Sequence, residues 1–203
     1  MSTAEDLFIT VMDGERPVGR GDLSLALAGA ELIDLIGADA VTVRDGRLVP
    51  GGPTPLDDGG LTGEAAAALT RQAPYEWIED WLWRRGNGLS DAYQAAMEAS
   101  GELRPRRSGR SPFGGSRLEP ADTPASRRAR DRWSERDPVL IALATVVGVE
   151  DEPDDRDEDA PGLDDEAVTT VVAAVHDAVM ELEAVRQRRT IENAAFANLW
   201  RGP

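Results

Sequence analysis

Apolar residues recur at helical spacing along most of the chain, and the interruptions fall at Gly, Pro and Asp. The opening stretch has Thr3 as a candidate N-cap with Asp6 three residues on, a weak capping box. A short helix there carries Leu7, Phe8 and Val11 inward and stops at Asp13-Gly14. Asp22 is then expected to cap a second helix. Its apolar positions Leu23, Leu25, Leu27, Ala30, Leu32, Ile33 and Ile36 cover more than one face. That breadth predicts a helix buried in the middle of the fold. Ala40 to Arg44 and Arg47 to Val49 flank Asp45-Gly46, which favours a type I′ turn and so a short β-hairpin.

Beyond a Gly/Pro-rich loop, an alanine-rich helix is expected from Thr62 to about Gln72, and Pro74 is expected to open the next one. Trp77 and Trp81 fall one turn apart on it. Ser90 reads as the N-cap of a helix ending at Ser100. Leu103 to Pro120 lacks a helical period and reads as a protruding polar hairpin. Ala125 to Arg136 reads as an arginine-rich helix, and Val139 to Val147 as an apolar core helix. Residues 149–163 form an acidic segment with Pro153, Pro161 and Gly162, expected to be a mobile loop. Val168, Val171, Val172, Val175, Val179 and Leu182 mark a last long helix, with a short one from Ile191 to Trp200 after it. The predicted fold is mainly α: one compact domain over residues 1–203, with a short internal β-hairpin and a second, protruding one.

Composition removes several functions. The 203 residues include 38 acids and 22 basic residues, all arginine, for a net charge of −16. There is no cysteine and one histidine, His176. A disulfide framework, a thiolate nucleophile and the usual zinc patterns are therefore ruled out. The negative charge argues against nucleic acid, which demands a basic surface. His176 reads as a structural residue at the edge of the last helix's apolar stripe. Asp57-Asp58 and Asp164-Asp165-Glu166 are explained by turns and capping. The acids after Val149 lack the Gly and Glu of a calcium loop. No metal, cofactor or catalytic residue is assigned. The start of the chain has no basic stretch before an apolar run, and the longest apolar run is about half a bilayer span. The expected location is cytoplasmic, peripheral at most to the inner face of the cell membrane.

The distribution of charge is more informative. Residues 1–103 hold 18 acids and 7 arginines; residues 104–136 hold 4 acids and 10 arginines; residues 149–166 hold 11 acids and one arginine. The basic segment reads either as a solvated loop and helix or as a surface that docks an anionic partner. Arg104, Arg106, Arg107, Arg110 and Arg117 surround Phe113 in it. Basic residues near an anionic bilayer contribute about 1 kcal/mol each. Trp77, Trp81, Trp83, Arg84 and Arg85 form a second candidate. They read either as a headgroup pocket or as core aromatics with exposed arginines.

The order of segments resembles the Golgi phosphoprotein 3 family. The carrying residues are Ala4-Glu5-Asp6-Leu7-Phe8, the block Leu25 to Leu35 (LALAGAELIDL), the hairpin Val41 to Val49, the Gly-Pro-Thr loop at 52–54, Trp77-Ile78, and Ala99-Ser100-Gly101-Glu102-Leu103. The chain looks like a bacterial, actinobacterial-like member. The resemblance implies a mainly helical domain that binds phosphatidylinositol 4-phosphate at a membrane and retains glycosyltransferases. It equates the headgroup positions with Gly19, Ala28, Asn87 and Ser90, none of which matches the family's residue. Arg20, Arg84 and Arg85 lie close by in sequence. The expected function is a non-enzymatic peripheral membrane adaptor with weak anionic phospholipid binding, and a membrane or glycosylation enzyme as partner. The headgroup candidates are Arg20, Trp81, Arg84, Arg85, Arg106, Arg107 and Arg110. The alternative is a soluble protein-interaction module that has lost the lipid.

Overall fold

The computed structural model describes residues 2–14, 16–52, 60–106, 117–149 and 163–199, without the side chains of 106, 117 and 194–199. Among them are eight helices and two hairpins: α1 (Thr3–Asp13), α2 (Arg20–Gly37), β1 (Val41–Arg44), β2 (Arg47–Pro50), α3 (Leu61–Ala68), α4 (Ile78–Arg85), α5 (Leu89–Ala99), β3 (Leu103–Arg106), β4 (Arg117–Pro120), α6 (Pro124–Ser134), α7 (Pro138–Val146) and α8 (Glu166–Leu199). The mainly helical class expected from the periodicity is the one observed. The expected acidic loop lies almost wholly outside the described residues, as does the turn joining β3 to β4.

Helix α2 is the axis of the core. Leu25, Ala26, Leu27, Ala28, Ala30, Leu32 and Leu35 are all buried on it, which accounts for its lack of a polar face. Helices α1, α5 and α8 are among its main neighbours. Gly29 sets the closest approach: a β-carbon there would overlap Val175 Cγ2 of α8. Small residues at such a crossing let two backbones draw together without a void. Asp34, one turn from the end of α2, pins the start of α1. It accepts the N–H groups of Thr3 (2.8 Å) and Ala4 (3.3 Å) and the Ser2 hydroxyl (3.1 Å). These are orphan donors of a helix N-terminus, which suit a carboxylate. Burial pushes the Asp34 pKa up, and those hydrogen bonds pull it back only in part.

The first hairpin forms as expected, with Val43 opposite Leu48 and left-handed Asp45 (φ 49°) and Gly46 (φ 72°) at its turn. It has a further partner that the periodicity missed. Leu48 N–H donates to the Glu76 carbonyl, and Ile78 N–H to the Gly46 carbonyl. The segment after Pro74 is therefore held extended beside β2, and α4 begins at Ile78, not at Pro74. Other boundaries shift for similar reasons. Helix α3 ends at Ala68. Ser2, not Thr3, caps α1 through Glu5 N–H. Helix α2 starts at Arg20 behind Gly19, so Asp22 lies inside it. Helix α5 starts behind Gly88 (φ 73°), which leaves Ser90 one residue into the helix. Helix α8 runs unbroken to Leu199, so the separate last helix merges into it. His176 is exposed rather than packed at the stripe's edge.

The arginine-rich helix α6 packs on α1. Arg128 meets Asp6 (2.9 Å) and Glu5 (3.3 Å), Arg132 meets Asp6 (2.7 Å) and Asp137 (3.0 Å), and Arg130 meets Asp13 (3.2 Å). Arg127 pairs with Asp122 (3.2 Å), and Arg104 with Glu119 across the second hairpin (3.1 Å). Arg128, Arg130 and Arg132 of the basic segment thus dock on the protein's own α1.

Candidate functional site

A cleft of about 450 Å³ opens where the start of α2 faces the turn between α4 and α5. Its floor is built from small residues. Gly86 sits so close to α2 that a β-carbon would stand 3.2 Å from the Ser24 carbonyl oxygen. Ser24 accepts the Ser90 N–H through its hydroxyl (3.0 Å), which ties the first turn of α5 to α2. Asn87 and Gly88 complete the turn, Leu25 and Leu182 give apolar walls, and Trp83 lies along the side, partly exposed.

Two arginines bring charge to this space. Arg20, the first residue of α2, lies at the rim. Its Nη1 meets Asp91 Oδ1 at 2.7 Å, and both side chains stay largely in solvent, 76% and 61% exposed. Such a pair contributes little to folding and exchanges readily. Arg84, in the last turn of α4, is clamped by Glu76, with Nε and Nη2 each donating at 2.7 Å to one carboxylate oxygen. Nη2 also donates to the Ala68 carbonyl, and the guanidinium stands 5.1 Å from the Trp81 ring. Hydrogen bonding to Glu76 raises the Arg84 pKa.

The sequence candidates therefore separate. Arg20 and Arg84 share one cleft. Trp81 is fully buried beneath it and donates its indole N–H to the Ala28 carbonyl (3.2 Å). Arg85 turns inward. It grips Glu31 with Nε (2.7 Å) and Nη2 (2.8 Å), and Nη2 also donates to the Leu61 carbonyl (2.9 Å). Tyr93 donates its hydroxyl to the same Glu31 (3.1 Å). Burial pushes the Glu31 pKa up against the pull of Arg85, and burial also raises that of the Tyr93 phenol. This cluster stiffens the wall behind the cleft and does not face it. The Arg106 side chain, Arg107 and Arg110 lie outside the described residues.

Of the four positions equated with a headgroup pocket, Asn87 and Ser90 line this cleft and Gly19 directly precedes Arg20. Ala28 is buried in the core. The sequence reading did not reach Ser24, Asp91 or Leu182, whose roles depend on chain contacts 60 or more residues away. Only Trp83 carried a signal, as an aromatic beside two arginines. Among the described residues, no group of His, Asp and Glu is placed to hold a metal ion, and no helix is long and apolar enough to cross a membrane.

A helical core around α2, a hairpin before α3 and another after α5, and an arginine-rimmed cleft at the start of α2 define a class of mainly helical protein. The sequence matches Golgi phosphoprotein 3 (GPP34) over residues 4–182, and the chain belongs to that family. No curated protein matches it.

Proposed function

We propose that this protein is a non-enzymatic, cytoplasmic adaptor that binds anionic phospholipid headgroups, phosphatidylinositol 4-phosphate among them, through the cleft at the start of α2. The observation that carries the reading is the convergence of Arg20, Arg84 and the partly exposed Trp83 on one open cleft. Arginine forks suit phosphate, and tryptophan suits the interface between headgroups and acyl chains. The positive end of α2 adds to the field there. Two arginines near an anionic bilayer amount to about 2 kcal/mol before ordering costs. Binding of that size is weak and falls steeply with salt, since the screening length is only about 8 Å at physiological ionic strength. A membrane or glycosylation enzyme is the partner such an adaptor would recruit.

Flotation with phosphatidylcholine vesicles, with and without phosphatidylinositol 4-phosphate, tests the reading. Binding at low salt to the anionic vesicles only, weakened by Arg20→Ala, is expected. No binding to anionic vesicles at low salt overturns it.

A second reading, a soluble protein-interaction module of the same fold, is favoured by one observation. Arg127, Arg128, Arg130 and Arg132 of the basic segment are already paired with carboxylates of the same chain. A stoichiometric protein partner captured without lipid, together with no vesicle binding, would favour it.

A further inference from the structure

Helix α8 continues past Leu182, where the family match ends, as far as Leu199. Its first turn beyond that point carries Arg186. The guanidinium lies across the start of α2, where Nη1 donates to both oxygens of Asp22 at 2.7 and 2.8 Å. Missing side chains make room for it. A β-carbon at Gly21 would stand 2.8 Å from Arg186 Nη2 and from Leu182 Cδ2, and one at Gly19 would overlap Asp22 Oδ2, the carboxylate that holds Arg186. Gly21 and Leu182 both line the cleft. Arg186 Nη2 therefore stands directly beside Gly21 and Leu182 of the cleft wall, on a side chain 39% exposed that does not itself line the cleft.

We propose that Arg186 is a further ligand-binding residue of this cleft, supplied by the part of α8 that lies beyond the family match. It acts with Arg20 on a phosphomonoester group. The inference rests on the anion-binding reading above. A guanidinium has five N–H donors, so Arg186 can keep Asp22 on Nη1 while Nη2, beside Gly21, serves a phosphate oxygen entering the cleft. Asp22 then has two opposed effects. It orients the guanidinium, and its charge competes with the incoming phosphate. Asp91 competes in the same way at Arg20. Arg20 is held by Asp91 and Arg186 by Asp22, with Glu183 a further 3.6 Å from Arg186 Nη1, and the site gains contacts by exchanging carboxylate for phosphate oxygens.

The opposed effects give the test. Full-length protein is titrated with phosphatidylcholine vesicles containing phosphatidylinositol 4-phosphate, and separately with inorganic phosphate by calorimetry. Arg186→Gln is expected to weaken vesicle binding about fivefold, the loss of one basic contact at an anionic surface. Asp22→Asn keeps an acceptor for Arg186 but removes the competing charge, and is expected to tighten binding. Arg189→Gln, on an exposed residue three positions further along α8, is the control and is expected to change binding by about twofold at most, because exposed charges are screened. If Arg186→Gln and Asp22→Asn weaken binding together, the pair is only a tether and the proposal falls. If Arg186→Gln behaves like Arg189→Gln, the proposal falls while the headgroup reading stands. Phosphate binding that depends on Arg186, without vesicle binding, supports the residue and overturns the lipid source. Wild-type protein that takes neither vesicles nor phosphate overturns both.

Discussion

Two regions of this molecule join arginines to carboxylates, and they do so to opposite effect. Between α1 and α6, Asp6 is fully buried and shared by Arg128 and Arg132, which are themselves mostly covered. At the cleft, Arg20 and Asp91 meet at the same 2.7 Å but remain mostly in water. Distance does not separate them; burial and sharing do. Removing one member of a buried pair leaves an uncompensated charge, whereas an exposed pair returns to solvent. A count of arginines therefore locates no binding site. Residues 104–136 hold ten arginines, and the most covered among the described ones hold α6 to α1. The candidate site rests on arginines from segments whose net charge is negative.

The largest expected effect breaks the buried side of this contrast. Asp6→Ala removes the buried carboxylate that Arg128 and Arg132 share, leaves them only the more exposed Glu5 and Asp137, and should cost about 3 kcal/mol of folding free energy, measured by urea unfolding. A loss below about 1 kcal/mol would mean that the two arginines relax into solvent as Arg20 does.

A pH series gives a middle-sized effect. Burial raises the folded-state pKa values of Glu5, Glu31 and Asp34 above their ordinary ones. An acid with a raised folded pKa favours the fold when protonated. Its contribution is full below the ordinary carboxylate range and is lost as pH rises through the raised value. Thermal stability should therefore rise as pH is lowered from 8 towards about 5, with net negative charge falling in the same direction. Glu31→Gln should flatten that slope. A wild-type Tm that falls steadily over the same range would contradict it.

The smallest stability change belongs to the cleft. Arg20→Ala should alter folding by no more than about 0.5 kcal/mol while lowering vesicle binding. A large unfolding effect with unchanged binding would reverse the roles given to the two regions.

The fold was largely legible because its signals are local. The breadth of the apolar pattern on α2 marked it as the central helix, and Asp45-Gly46 marked the first hairpin. Errors arose where a distant partner overrode a local preference. Pro74 suggested a helix start, but Glu76 and Ile78 bond to the hairpin instead. Asp22 suggested a cap, but its carboxylate serves Arg186, 164 residues away in sequence. The site was half legible. Arg20 and Arg84 could be nominated as arginines near a glycine-rich turn. That Arg85, adjacent to Arg84, turns inward to Glu31 depends on where α2 passes, and one helical step of about 100° decides it.

Gly29 bears on the cleft from a distance. The overlap a side chain would cause with Val175 makes Gly29 a notch into which α8 fits at the α2–α8 crossing. Arg186 lies eleven residues further along α8, about 16 Å at the helical rise. A slip of one turn at the notch would carry its guanidinium about 5 Å along the axis and out of reach of Asp22. Gly29 thus serves as the datum of a ruler cut into a rigid rod, and the placing of a charge at the protein's surface is set by a methyl group left out of its centre.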